Sequence, residues 1–219
     1  FYADDIGYRE TAETMSHTIS PILRVDFGEN DRYTIKPSVF LTNTYNKDTD
    51  DADWDDGLYN YRDFGGSVDF QMRDLLASGD SEDELTLGSQ IYKREYPNYT
   101  SLLDLATGNN TETDEKDYLG IILNTDYQMT KDLGLSWSVG YSLFIKMLED
   151  KKVVNTQGVL TSEEQRDYLH MFETKFWYFF EGGLKIGLNL DAHLKDSNQN
   201  FYEGFGTIGL GDDIATSDY

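Results

Sequence analysis

The stretch LGLSWSVGYSLFIKM, residues 133 to 147, decides how the rest of the chain is read. Its odd positions are Leu133, Leu135, Trp137, Val139, Tyr141, Leu143, Ile145 and Met147, while its even positions are Gly134, Ser136, Ser138, Gly140, Ser142, Phe144 and Lys146. Successive side chains of a strand point to opposite faces, so this is one long strand with a continuous apolar face and a small or polar one. Strands of soluble proteins average about 5 to 6 residues. A tilted strand that crosses a bilayer needs about 9 to 11, and this run exceeds that.

The same alternation recurs along the chain. Tyr33, Ile35, Pro37, Val39 and Leu41 alternate with Thr34, Lys36, Ser38 and Thr42. Leu119, Ile121, Leu123, Tyr127 and Met129 alternate with Gly120, Asn124, Asp126 and Gln128. Leu184, Ile186, Leu188, Leu190, Ala192 and Leu194 alternate with Lys185, Gly187, Asn189, Asp191 and His193. Weaker runs span His17 to Phe27, Leu58 to Met72, Leu85 to Arg94, Tyr168 to Phe180 and Tyr202 to Leu210, giving about nine strands. The connections alternate in length. Gly28 to Asp31, Thr130 to Asp132 and Glu181 to Gly183 are short, Asp74 to Asp83 is intermediate, and Asn46 to Gly57, Tyr96 to Lys116 and Leu148 to Arg166 are long. The expectation is all-β: an antiparallel up-and-down transmembrane β-barrel in which residues 1–219 form a single domain.

Composition narrows the function classes. The chain holds 16 Tyr and 14% aromatic residues at a mean hydropathy of -0.59, which suits apolar girdles around a wet interior. No apolar run approaches the roughly 18 to 20 residues of a transmembrane helix. The absence of Cys excludes disulfides and thiolate chemistry. A net charge of -23 argues against nucleic acid and against an electrostatic grip on anionic lipid. The acid gathers at 48–56 and 112–117, a pattern of solvated loops. Phe1 opens the chain without the pattern of a signal peptide, so a mature, trimmed or partial chain is expected.

Phe27, Tyr33, Phe70, Tyr127, Trp137, Tyr178 and Phe180 fall on the apolar face near the short-turn ends, with Tyr45 and Tyr168 toward the other rim. Amphipathic rings favour the headgroup level of a bilayer. Together with the alternating runs and the short/long rhythm, they make the chain from His17 to Leu210 resemble the outer-membrane β-barrel proteins of Gram-negative bacteria. That resemblance implies a location in the outer membrane, with the lipid bilayer and lipopolysaccharide as partners. Such barrels usually have an even strand number. The odd count here, and the lack of a final aromatic-terminated strand at 212–219, predict further strands in a larger even-stranded barrel, incomplete at both ends of this chain.

The opposite register carries Arg24, Lys36, Asp63, Asp69, Arg73, Glu84, Arg94, Asp126, Lys146, Lys185 and Asp191. These either pair across strands to plug a narrow barrel or line a hydrated pore. Inward Ser and Gly on the 133–147 strand favour open space. The aspartates Asp48, Asp50, Asp51, Asp53 and Asp55 offer oxygen ligands for a loosely bound Ca²⁺. The EF-hand match is poor, however, because Gly57 falls one place late and Arg62 stands where Glu is required.

Gly204-Phe-Gly206-Thr-Ile-Gly209 has dinucleotide-binding spacing but no strand–helix context, and Asp212 and Asp213 would repel phosphate. Of three histidines, His17 and His170 lie on the apolar register and His193 on the polar one beside Asp191 and Lys195. With no H-E-x-x-H or G-x-S-x-G string, an enzyme is not expected. The leading expectation is a porin-like channel for small hydrophilic solutes. A closed-lumen barrel whose acidic loops bind an unknown protein partner is the first alternative. The second is a soluble secreted β-sandwich.

Overall fold

A computed structural model describes residues 13–47, 53–54, 57, 59–76, 81–99, 116–131, 134–155 and 159–199. Nine strands occur among them: β1 (Glu13–Ile19), β2 (Val25–Phe27), β3 (Tyr33–Lys47), β4 (Tyr61–Arg73), β5 (Ser81–Glu95), β6 (Tyr118–Lys131), β7 (Leu135–Val154), β8 (Leu160–Phe179) and β9 (Lys185–Ser197). All belong to one sheet ordered β1-β3-β4-β5-β6-β7-β8-β9, with β2 also on β3, and every pairing is antiparallel. The up-and-down meander is therefore present.

The nine strands do not close into a barrel. A meander becomes a barrel only when its first and last strands pair, and among the described residues β1 and β9 occupy opposite edges of an open sheet. Nine is also reached differently from the sequence count. Tyr202 to Leu210 lies outside the described residues, and the single strand expected from His17 to Phe27 is two. Pro21 has no N–H for a ladder and restricts the residue before it, so β1 stops at Ile19. The chain then crosses a bend held by the Ile22–Ser38 bridge and by Leu23 N–H donating to Pro37 O (3.0 Å) before β2 resumes.

The long loop expected from Leu148 to Arg166 is mostly strand. β7 and β8 run on to 20 residues each, past a register irregularity between Met147 and Lys152. That bulge breaks the apolar alternation without ending the pairing, which resumes at Lys152–Glu164 with an ion pair of 3.0 Å. β4 begins at Tyr61 rather than Leu58, because Asn60 closes a turn first: its N–H donates to Gly57 O (3.0 Å), and its Oδ1 accepts Asn46 N–H (2.6 Å). Between β4 and β5, Asp83 accepts the N–H groups of Leu75 (2.6 Å) and Leu76 (2.7 Å) and the Tyr127 hydroxyl (2.8 Å). Between β6 and β7 the chain turns at Gly134, whose φ of +80° suits glycine.

Register makes the two faces unlike. Cross-strand partners Leu41–Phe64, Ile91–Ile121, Leu123–Leu143 and Phe176–Leu188 show how the apolar positions of every strand meet on one face. Arg62, Lys93, Glu95, Arg166 and Asp196 bound that face toward the long connections, and Asp83 and Lys131 bound it toward the short ones. Between those rims, no Asp, Glu, Lys or Arg stands on it in β3 through β9. On β6 the uncharged belt runs from Leu119 to Met129, about 33 Å along the strand at about 3.3 Å per residue. Tilted by about 40°, that is about 25 Å, the height of the lipid-facing band of an outer-membrane barrel.

The belt is exposed: Val39 by 61%, Phe64 by 52%, Ile91 by 52% and Leu188 by 54%. On the other face Asp63, Tyr92 and Tyr118 keep only 7%, 8% and 5%. The polar face is thus the more enclosed of the two in β3 through β6, where rings and ion pairs pack over glycines. Among the described residues no second layer lies over the apolar face, which a β-sandwich would require. No described helix is long and apolar enough to cross a membrane.

Candidate functional site

The polar face holds the chemistry. Ten of the eleven charged residues expected there occupy it by register, in facing pairs such as Lys36–Asp69, Asp63–Arg94, Arg73–Glu84 and Glu173–Asp191. Two of these pairs are bonded. Arg94 donates from Nε (2.7 Å) and Nη2 (2.6 Å) to the two carboxylate oxygens of Asp63, and Arg73 Nε donates to Glu84 at 3.1 Å. Lys36 and Asp69 face each other without an ion pair, and Asp126 also lacks one, although Lys175 and Glu173 pair nearby at 2.6 Å. Arg24 lies outside the strands, just before β2, and donates to Asp26, which also accepts the Thr34 hydroxyl at 2.5 Å. Lys185 sits 3.8 Å over the Trp177 ring, and Asp191 faces Glu173, whose carboxylate pairs with Lys175. His193 opposes Met171 on the polar face, while His17 and His170 lie on the apolar one, as expected. His170 Nδ1 is 2.9 Å from the Tyr141 hydroxyl.

The polar face carries a layer of rings that alternation conceals. Phe40, Tyr92, Tyr118 and Phe144 project from β3, β5, β6 and β7 onto this face, with ring centroids 5.9 to 6.4 Å apart around Tyr92. Leu148 completes a small buried cluster with them. The Tyr92 ring fits because its cross-strand partners on both sides are glycines, Gly65 and Gly120. A Cβ at Gly120 would come within 2.6 Å of that ring, and one at Gly65 within 2.3 Å of Ile91 O and 2.7 Å of Tyr92 Cα. Ring atoms can swing aside but backbone atoms cannot. Gly65→Ala is therefore expected to cost about 1–3 kcal/mol and Gly120→Ala less, measured as shifts in the urea midpoint of unfolding.

Arg94 knits the layer to its ion pair, lying 3.8 Å over the Tyr61 ring and 5.5 Å from that of Tyr118. Lys146 Nζ approaches Tyr118 from β7 at 4.6 Å. Each such stack offers roughly 0.5–2 kcal/mol, more where water is excluded. The sequence signal for this layer was large apolar residues in the polar parity with glycines facing them. Recognising it required knowing which residues sit opposite, and register is a property of the folded sheet.

Above the layer, at the rim of the long connections, Lys116 Nζ lies 4.3 Å from the Tyr59 ring and 4.7 Å from that of Tyr99. Burial there, aided by Lys151, pulls its ammonium pKa below the usual lysine range. At the other rim the girdle aromatics assemble as neighbours. Phe27 stacks on Tyr33 at 5.6 Å, Tyr33 on Phe70 at 6.1 Å, Tyr127 meets Trp137 at 5.3 Å, and Tyr178 meets Phe180 at 4.6 Å.

Of the five aspartates considered for Ca²⁺, only Asp53 is described, and Asp48, Asp50, Asp51 and Asp55 lie outside the described residues, as does the 204–209 glycine motif. Among the described residues no group of three or more His, Asp or Glu side chains is placed to hold a metal ion. No protein-family model matches the chain, and no curated protein is significantly similar to it in sequence.

Proposed function

We propose that the chain forms the wall of a bacterial outer-membrane channel that passes small hydrophilic solutes, its apolar face against lipid and its polar face lining the path. The observation that carries this reading is the uncharged, exposed belt that crosses every strand from β3 to β9 between two charged rims. Leaving so much apolar surface to water would be unfavourable by about 25 cal/mol per Å². Bilayer hydrocarbon removes that cost, while the backbone remains satisfied within the sheet. The ring clusters at the short-turn rim match headgroup anchoring, and lipid with lipopolysaccharide is the environment this geometry suits.

A closed-lumen barrel that binds a protein partner through its loops is the second reading, favoured by the buried Tyr92 layer and the bidentate Asp63–Arg94 pair. Purified chain refolded into planar bilayers is expected to give discrete conductance steps under an applied voltage. A folded, inserted protein that stays silent at every voltage would transfer the argument to the closed-lumen reading.

A further inference from the structure

We propose that the Tyr92 layer is the narrowest level of the path and that Lys146 sets its preference for small anions, an inference that rests on the channel reading above. The layer is the one place on the polar face where ring after ring packs to burial, with Tyr92 and Tyr118 exposed by only 8% and 5%. Toward the short turns the same face carries Trp177 and Phe179 on β8, but β6 and β7 bring only smaller side chains. There β7 presents Ser142, Gly140, Ser138 and Ser136, opposite Asn124, Asp126, Gln128 and Thr130 of β6. Along β6 and β7, rings above and small side chains below would make a constriction that opens into a wider, hydrated vestibule.

Charge at the constriction follows from who is paired. Asp63 spends both oxygens on Arg94, so that pair is neutral. Asp167 stands directly across the ladder from Lys146 with no ion pair between them, its Oδ1 accepting from Gln165 Nε2 (2.9 Å) and Ser197 Oγ (2.6 Å). No carboxylate forms an ion pair with Lys146 among the described residues, and its ammonium rests 4.6 Å over the Tyr118 ring. The charges that act on this ammonium are one carboxylate, Asp167, and three further ammoniums, Lys116, Lys151 and Lys195, so lysine outnumbers carboxylate around Lys146. Such a ring of side chains raises the local concentration of anions and repels cations. This is opposite in sign to the chain as a whole at -23, so the filter and the acidic connections select differently.

The experiment is reversal potential of the full chain in a planar bilayer under a potassium chloride gradient, with wild type, Lys146→Gln and Lys36→Gln. Lys36 lies on the same face, outside the ring layer. Wild type is expected to favour chloride. Lys146→Gln is expected to lower the chloride-to-potassium permeability ratio severalfold, and Lys36→Gln to change it far less. Phe144→Ala is expected to raise single-channel conductance without that change in ratio. Equal shifts for both lysine variants, or none for Lys146→Gln in a conducting channel, would overturn this inference and leave the channel reading standing. A wild-type chain that inserts and never conducts would overturn both.

Discussion

Val139→Arg is expected to destabilise the chain folded into phospholipid by about 2–4 kcal/mol, while Ser138→Arg, one residue earlier, costs far less. Val139 is 46% exposed on the uncharged belt, and Ser138 faces Gln128 and Lys175 on the polar side. If water covered the belt, an arginine at so exposed a position would change stability by about 0.5 kcal/mol at most. If hydrocarbon covers it, the guanidinium must be stripped of water or must drag water and headgroups inward. Urea titration of refolding into vesicles measures the difference. Equal, small costs for both variants would remove lipid as the partner of that face, and the transport proposal would go with it.

Asp63→Ala is expected to cost about 3 kcal/mol, toward the lower end for a broken buried pair because Arg94 retains some access to water. The carboxylate is 7% exposed and takes two charge-assisted bonds from a guanidinium that is also stacked on Tyr61. Removing it leaves the guanidinium desolvated without its counter-ion. Asp63→Ala combined with Arg94→Leu is expected to recover much of the loss, because the stranded charge is gone. A double-mutant cycle by urea unfolding reads the coupling between them. A cycle showing no coupling would mean that the pair is too well hydrated to act as a structural brace in the polar face.

The alternation in Leu133 to Met147 predicted β7, and the same reading placed β3, β5, β6 and β9 within a few residues. Local pattern sufficed there because period two is imposed by the strand backbone itself. It failed where pairing continued without pattern. β7 and β8 extend beyond Leu148 through a bulge, and their side chains there are charged on both faces, so nothing in the period marks them as strand. At Pro21 the reverse happened: the apolar period ran on while the missing N–H interrupted the ladder. The polar face was legible for charged residues, since charge avoids the apolar register. Phe40, Tyr92 and Tyr118 were not legible as a layer, because each is separated from the others by long stretches of chain.

By itself the sequence determined that the chain is all-β, that its strands are long and antiparallel, and which residues share each face, because these follow from side-chain alternation and turn chemistry along the chain. Only the tertiary structure decided which residues stand opposite one another. From that came the glycine seats of Tyr92, the Asp63–Arg94 pair, the place of Lys146 over the Tyr118 ring and, among the described residues, the open edges at β1 and β9. The physical reason is that registration between strands such as β3 and β4 or β5 and β6 depends on contacts between residues 17 to 50 positions apart, and no local propensity encodes a meeting at that separation.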